Sequence, residues 1–388
     1  MFHVTHENLN TLARRGVLTL ERGTVQTPVF MPVATRGSVR AQDLREVERA
    51  GAEILLTNTY HLMKTPGLDL LEKLGGIHKF TNWQKSFLSD SGGYQVFSLR
   101  ARAKLEERGV LIEGLKLTPE SISLAQHRIG SDIHMVLDQC VPSTSDKKLV
   151  QEAMHRTHRW ALRARIAHRE NSEVFQTRKK LFAIIQGACD RDSRTLSAEF
   201  IAEHEWDGIA VGGLAVGEGR AEREAALDVV GRLLPKQKPH YLMGVGTPID
   251  LLEAIHRGID MFDCILPTAF AQQGMAFSFR GRIQLRRGVY ADKQRPIEAD
   301  CICPTCLSYS RAYLHHLIKN KEVTGWQLIG THNLHFYKRF LNEVRASLEK
   351  GDFYTYYLDH RNILGGDDLD YPITKPKQKK PSLPSLAS

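Results

Sequence analysis

The chain has 388 residues, enough for one large domain or two ordinary ones, and 42% hydrophobic with 25% charged residues is the balance of a globular protein rather than a disordered one. No apolar run approaches the ~20 residues that span a bilayer, and Met1–Gly16 lacks the apolar core of a signal peptide, which points to a cytoplasmic protein with no membrane partner. The net charge of +9 is concentrated: Arg156–Lys180 holds eight basic and two acidic residues, Arg280–Arg295 six and one, and Lys375–Lys380 four basic residues, so a polyanionic partner and a set of solvated helix faces are both open readings.

Eight short apolar runs read as strands: Pro28–Ala34, Glu53–Thr57, Ser86–Ser89, Ile133–Leu137, Leu181–Ile185, Gly208–Val211, His240–Met243 and Ile259–Phe262. Most have the unbroken hydrophobicity of strands buried on both faces. Helical patterns lie between them, at Ala41–Ala50, Pro119–Ile129, Asp146–Glu170, Arg191–Glu203, Arg220–Leu233 and Pro248–Arg257. Thr118-Pro119 and Thr247-Pro248 place a capping hydroxyl before a proline in the first turn. Strands alternating with helices predict a parallel sheet, and eight units over ~240 residues predict an α/β protein with a closed (β/α)8 barrel. A doubly wound open sheet is the alternative, but no glycine-rich turn follows Pro28–Ala34.

The barrel is assigned to 1–269, with a hairpin-like insertion near 94–117 that turns at Gly109 and Gly114. Residues 270–373 form a further subdomain packed on the barrel, with short strands at Met275–Phe279 and Ile283–Arg286 and a helix at Asn333–Lys350. The Lys/Pro/Ser-rich tail, 374–388, reads as disordered.

Barrel enzymes draw their chemistry from the C-terminal ends of the strands. Here those ends carry Asp90-Ser91-Gly92-Gly93-Tyr94-Gln95, Asp138-Gln139-Cys140, Gln186-Gly187, Gly212-Gly213-Leu214-Ala215-Val216-Gly217-Glu218, Met243-Gly244-Val245-Gly246 and Asp263-Cys264. A lone aspartate after a strand is ordinarily a helix cap, and Asp138 is placed to cap a helix beginning near Ser145. Three in one ring, without a phosphate loop, suggest displacement at a sugar carbon, one carboxylate attacking and another moving a proton. A side-chain amide, a carboxylate and bare glycine backbone together suit the hydrogen-bonding edge of a planar base.

Six cysteines, three of them within six residues, do not make a secreted disulfide framework. Cys301, Cys303 and Cys306, followed by His332, satisfy a tetrahedral Zn2+ with no open position, so the site is structural, one ion per subunit. His315, His316 and His335 are competing fourth ligands on spacing alone.

The chain resembles the bacterial tRNA-guanine transglycosylases over roughly Phe2–Tyr371. The likeness rests on Asn58-Thr59-Tyr60-His61-Leu62, Asp90–Gln95, Gly213–Glu218, Met243–Pro248, Met261-Phe262-Asp263-Cys264 and the Cys301/Cys303/Cys306/His332 set. It implies a homodimeric barrel that exchanges guanine at the wobble position of a tRNA with a GUN anticodon for the 7-deazaguanine preQ1, in queuosine biosynthesis. By the same resemblance Asp263 is the nucleophile and Asp90 the proton acceptor. Asp90, Ser91, Gly92, Gly93, Tyr94, Asp138, Gln186, Gly213, Leu214 and Met243 bind the base, and Val216 favours a small one. RNA contacts are expected from Gly244, Val245, Gly246, Thr247, Pro248, Thr268, Ala269, Gln272, Arg286 and Arg287. Tyr309, Tyr313 and His316 are candidate anchors between subunits.

One departure stands out. Ala269 and Gln272 replace two arginines of the family pattern, and Gln139 replaces a glutamate. A paralogous exchange enzyme with an altered RNA or DNA substrate, or a non-catalytic RNA-binding partner subunit, is therefore the competing expectation, and a plain glycoside hydrolase a more distant one.

Overall fold

The computed structural model describes residues 1–373; the basic tail read at 374–388 lies outside the described residues. Eight parallel strands run in chain order: β1 Val29–Pro32, β2 Ile54–Asn58, β3 Ser86–Asp90, β4 Ile133–Met135, β5 Lys180–Ile185, β6 Gly208–Val211, β7 His240–Leu242 and β8 Met261–Cys264. Each pairs with its neighbour in sequence, and β8 pairs with β1 in register Met261–Val29 through Cys264–Pro32. A single parallel bridge, Val33–Leu56, joins β1 to β2 and closes the ring. The expected barrel is thus present, with each strand within a few residues of its sequence reading.

Local chemistry explains the helices that follow the strands. In α1, Pro119–Ile129, the Thr118 hydroxyl accepts from the Ser121 amide and Ser121 accepts from the Thr118 amide, a reciprocal cap. In α2, Lys147–Phe175, Asp146 caps the first turn. This answers the alternative reading of Asp138, which caps nothing. In α3, Arg191–Ala202, Asp190 caps, and in α5, Pro248–His256, Thr247 caps; α4 is Arg220–Val230. The insertion after β3 is a three-stranded antiparallel sheet, Ala103–Glu106, Gly109–Ile112 and Leu115–Leu117.

Much of the positive charge of Arg156–Lys180 is spent locally. Arg156 and Arg159 pair with Glu107 of the insertion, and Arg163 pairs with Glu120 of α1. This stretch is mainly an outer helix face.

The C-terminal region behaves as two layers. Residues around the cysteines, with Ile283, Leu285, Tyr290, Leu314 and Ile318, form a small core of their own. The helix α6 spans Val323–Lys350, ten residues longer at its start than expected. Its second half inserts Phe336, Tyr337, Phe340, Leu341 and Val344 into the same core as the barrel strands, so it occupies the place of an eighth outer helix. An N-terminal antiparallel meander, Phe2–Glu7, Arg14–Leu20 and Gly23–Thr27, was not expected from the sequence. No helix among the described residues is long and apolar enough to cross a membrane.

Candidate active site

The strand ends enclose a cavity of about 370 Å³ lined by Asn58, Asp90, Tyr94, Asp138, Gly213, Val216, Tyr241, Met243, Gly244 and Asp263 among others. All three expected aspartates face it. Their surroundings differ.

Asp263 ends β8. Its Oδ1 accepts from the Tyr241 phenol at 2.6 Å and from the Gly244 amide at 2.7 Å, while Oδ2 has no hydrogen-bond partner among the described residues. Burial raises its pKa, and these two donors oppose the rise by favouring the charged form. One oxygen is thus anchored and the other left with free lone pairs toward the cavity. Burial also lifts the Tyr241 hydroxyl far above its ordinary range, so it stays a donor.

Asp90 ends β3. Asn58, at the end of β2, donates from Nδ2 to Asp90 Oδ2 at 2.8 Å and to Gln95 Oε1 at 3.0 Å, and its own Oδ1 accepts from the His61 amide. Burial, with the charges of Asp138 and Asp263, pushes Asp90 up to about 7. A carboxyl that titrates near neutrality is suited to give and take a proton.

Asp138 is buried, and Gln186 donates to its Oδ2 at 2.6 Å. Burial pushes it up to about 6, against the pull of that bond. Gly93 makes this placement possible: a Cβ there would lie 1.8 Å from Asp138 Oδ1.

Two thiols also line the cavity. Burial pushes Cys264 up to about 12 and Cys140 higher, so neither supplies a thiolate at neutral pH. Among the cavity's nucleophiles a carboxylate is the one that is charged.

The other expected base-binding residues separate by role. Tyr94, 51% exposed, stands at the cavity rim, and Met243 lies in its wall. Ser91 and Leu214 are buried, and Ser91 Oγ accepts from the Gly93 amide at 3.4 Å. Around the mouth, Val245 and Pro248 are buried, and Thr247 is occupied with its cap. The short helix Leu266–Gln272 holds Thr268, Ala269 and Gln272, half-buried. Arg40, exposed on the loop after β1, donates to Gln272 Oε1 at 3.3 Å. Arg287 is committed to the carbonyl of Tyr371, whereas the exposed Arg286 makes a single bond, to Gln273.

Several supporting residues were not singled out as site residues from the sequence. Arg194 of α3 is fully buried and donates to the carbonyls of Ala188, Ile185 and Gly212, which fixes the ends of β5 and β6 beneath Gln186 and Gly213. Tyr241 lies inside an ordinary strand pattern. Neither position carries a local signal, because its partners lie outside its own element.

The four metal-ligand candidates meet as expected. The Sγ atoms of Cys301, Cys303 and Cys306 lie 3.7, 3.6 and 3.3 Å from His332 Nδ1. Those separations are the edges of a small tetrahedron, about what ligands 2.0–2.3 Å from a shared Zn2+ require. His332 Nε2 donates to the Phe277 carbonyl at 2.8 Å, which turns the Nδ1 lone pair toward the thiols. The set fits a closed metal site. Of the competing histidines, His315 bonds the Leu285 carbonyl instead.

The family model described as "Queuine tRNA-ribosyltransferase" matches residues 9–362. Curated proteins named queuine tRNA-ribosyltransferase are similar along most of the length. That of Herpetosiphon aurantiacus is 44% identical over 364 residues, 92% of this chain and 91% of the relative. Those of Sphingopyxis alaskensis and Rickettsia typhi are each 44% identical, covering 89% and 87% of this chain and 94% of each relative.

Proposed function

The chain belongs to the queuine tRNA-ribosyltransferase family, and from that premise we propose that it exchanges guanine at the wobble position of a GUN anticodon for a small 7-deazaguanine of the preQ1 type, through a ribosyl-aspartate intermediate. It is a pentosyltransferase acting on tRNA in queuosine synthesis. The observation that carries the finer reading is the asymmetry of Asp263, with one oxygen held by two donors and the other free.

In the first half-reaction the free oxygen of Asp263 attacks C1′ of the ribose. The bond from C1′ to the base nitrogen breaks, its electron pair leaves with guanine, and protonated Asp90 supplies the proton. In the second half, ionised Asp90 takes the proton from the incoming base, whose nitrogen attacks C1′ and releases Asp263. Two inversions give retention. Asp138, ionised and held by Gln186, accepts from the two N–H groups on the guanine edge. The base must leave its stack to enter the cavity, which is cheapest in a single-stranded loop. Ala215 and Val216 in the wall leave room for a small substituent.

We propose one structural Zn2+ per subunit at Cys301, Cys303, Cys306 and His332. A closed four-ligand site contributes folding energy and takes no part in the chemistry. For the homodimer, the patch beside the cysteines is the proposed face. Tyr309 and Tyr313 stack at 5.4 Å, and Ile302 and Leu307 are 82% and 72% exposed. Sedimentation showing a monomer at micromolar concentration, for the wild type as for L307D, would exclude it.

The helix after Asp263 has no charged side chain. Arg36 and Arg40, both exposed on the loop after β1, supply positive charge on the same rim, and Arg40 reaches Gln272. We read the phosphate contact as carried from that loop.

Incorporation of labelled guanine tests the whole reading. The expected substrate is a tRNA with a GUN anticodon, with no label entering single-stranded DNA; label in DNA alone would favour the paralogue. Adduct formation needs Asp90 protonated and Asp138 ionised. Its rate is therefore expected to fall as pH rises through about 7 and as it drops through about 6. Asp90→Asn should remove the upper flank. R36A/R40A should raise KM for tRNA about tenfold and lower its salt dependence by about two phosphate contacts. No incorporation by folded, metal-loaded protein would sink the proposal.

A further inference from the structure

Away from the cavity, three histidines from different elements meet at the other end of the barrel. His127 of α1, His134 of β4 and His168 of α2 are 6%, 0% and 8% exposed. Their ring centroids are 4.7, 4.9 and 5.2 Å apart. One ring nitrogen of each lies within 4.8 Å of the other two.

The hydrogen bonds fix which nitrogen carries a proton. His127 Nδ1 faces the Ser123 carbonyl at 2.9 Å, His134 Nε2 the Ser131 carbonyl at 3.2 Å, and His168 Nε2 the Lys179 carbonyl at 3.1 Å. A carbonyl only accepts, so each of these nitrogens is the N–H. The other three nitrogens are therefore bare lone pairs. His134 Nδ1 and His168 Nδ1 are buried with no hydrogen-bond partner, and His127 Nε2 meets only the Ser172 hydroxyl at 3.2 Å.

Three neutral imidazoles with lone pairs and too few donors are costly unless something is shared among them. Protonation is not the remedy. Burial pushes His127 down to about 4, and lowers His134 and His168 as well. The charged groups facing the cluster are Lys179, which disfavours a proton on His127 and His134, and Asp207, which favours one on His168 but does not offset burial.

We propose that His127, His134 and His168 form a second metal site, for a borderline divalent ion of the Zn2+ type, with the Ser172 hydroxyl or a water in the fourth position. With nitrogens about 2.0–2.1 Å from a tetrahedral ion, imidazole centroids fall about 5 Å apart, which is the observed spacing. The carbonyl behind each ring is the outer partner that ligand histidines ordinarily have. Ser172 is half-buried, so the fourth position faces the way in. The ion would tie α1, β4 and α2 together at the face of the barrel that serves stability rather than catalysis.

The test is a metal count on the full-length protein, stripped with chelator, reloaded with Zn2+ and dialysed. Two ions per chain are expected, and one in His168→Gln. With Co2+ in place of Zn2+, H168Q should keep the thiolate charge-transfer bands of the cysteine site while losing a band set typical of nitrogen and oxygen ligands. Retained thiolate bands also show that the variant has folded. Cys306→Ser should weaken the thiolate bands and, in the protein that remains folded by circular dichroism, keep the other set. A single ion in the wild type, or an unchanged count of two in H168Q, overturns the proposal.

Discussion

Asp263→Asn is expected to lower guanine exchange by about 10⁴-fold or more without weakening the fold. The amide keeps an oxygen for the Tyr241 phenol and the Gly244 amide, so the geometry at the end of β8 survives. What disappears is the charge of the proposed nucleophile. The stability sign is worked out from the same residue. Burial raises the pKa of Asp263, so the folded state holds its proton more tightly than the unfolded one. The stability this gives is present at low pH and is lost as pH rises through the folded value. At neutral pH the native carboxylate is therefore a burden, and the neutral amide should leave Tm unchanged or higher. Labelled guanine incorporation measures the first effect. A denaturing gel of enzyme with tRNA measures the adduct, which should be absent in D263N and present in the wild type. Near-normal exchange by D263N would move the nucleophile elsewhere and remove the mechanism.

A comparable effect, on stability rather than chemistry, is expected from Cys306→Ser. The thiol sits in the small core with Ile283, Leu285, Tyr290 and Leu314, and its partners come from 301–303 and from α6. Metal binding here is folding energy, because no preformed site exists in the unfolded chain. Loss of one ligand should cost on the order of 5 kcal/mol, since ions at such sites bind with apparent energies of about 10–16 kcal/mol. Thermal unfolding with metal analysis is the measurement, and Cys189→Ser, outside the cluster, is the control. An unchanged Tm in C306S would mean that the four residues are packing rather than ligation.

The strands of the barrel were legible because burial on both faces leaves the same mark on most of them, a short apolar run with no alternation. The aspartates were legible because each directly follows such a run or lies within three residues of it. Thr118-Pro119 and Thr247-Pro248 fixed two helix starts to the residue. Other features have no local mark. The meander at Phe2–Glu7 shows little burial and is rich in polar residues, so its hydrophobic pattern is faint. The helix α6 was expected to begin at Asn333, and its first ten residues, which include Gly325 and Gly330, carry little helical signal. Gly330 is there for packing: a Cβ would lie 2.5 Å from Gln42 Nε2. Arg194 and the three histidines at 127, 134 and 168 are clusters only in three dimensions, since their partners lie on separate elements. The strong separation of Asp90 from an ordinary carboxyl was invisible too, because it depends first on burial in the cavity and then on Asp138 and Asp263 sharing it.

The helix α6 has a consequence for how the protein comes into being. His332 reaches toward the thiols, its neighbour Asn333 donates to the Pro267 carbonyl just after β8, and Tyr337 donates to the Gly246 carbonyl behind β7. Every acidic residue of the cavity has been synthesised by residue 263, yet the segment that braces their strands arrives some seventy residues later. On the ribosome, then, a nascent chain carries all of its reactive groups well before it has a finished site. A chain interrupted before α6 would carry the cavity's carboxylates without the helix that braces their strands.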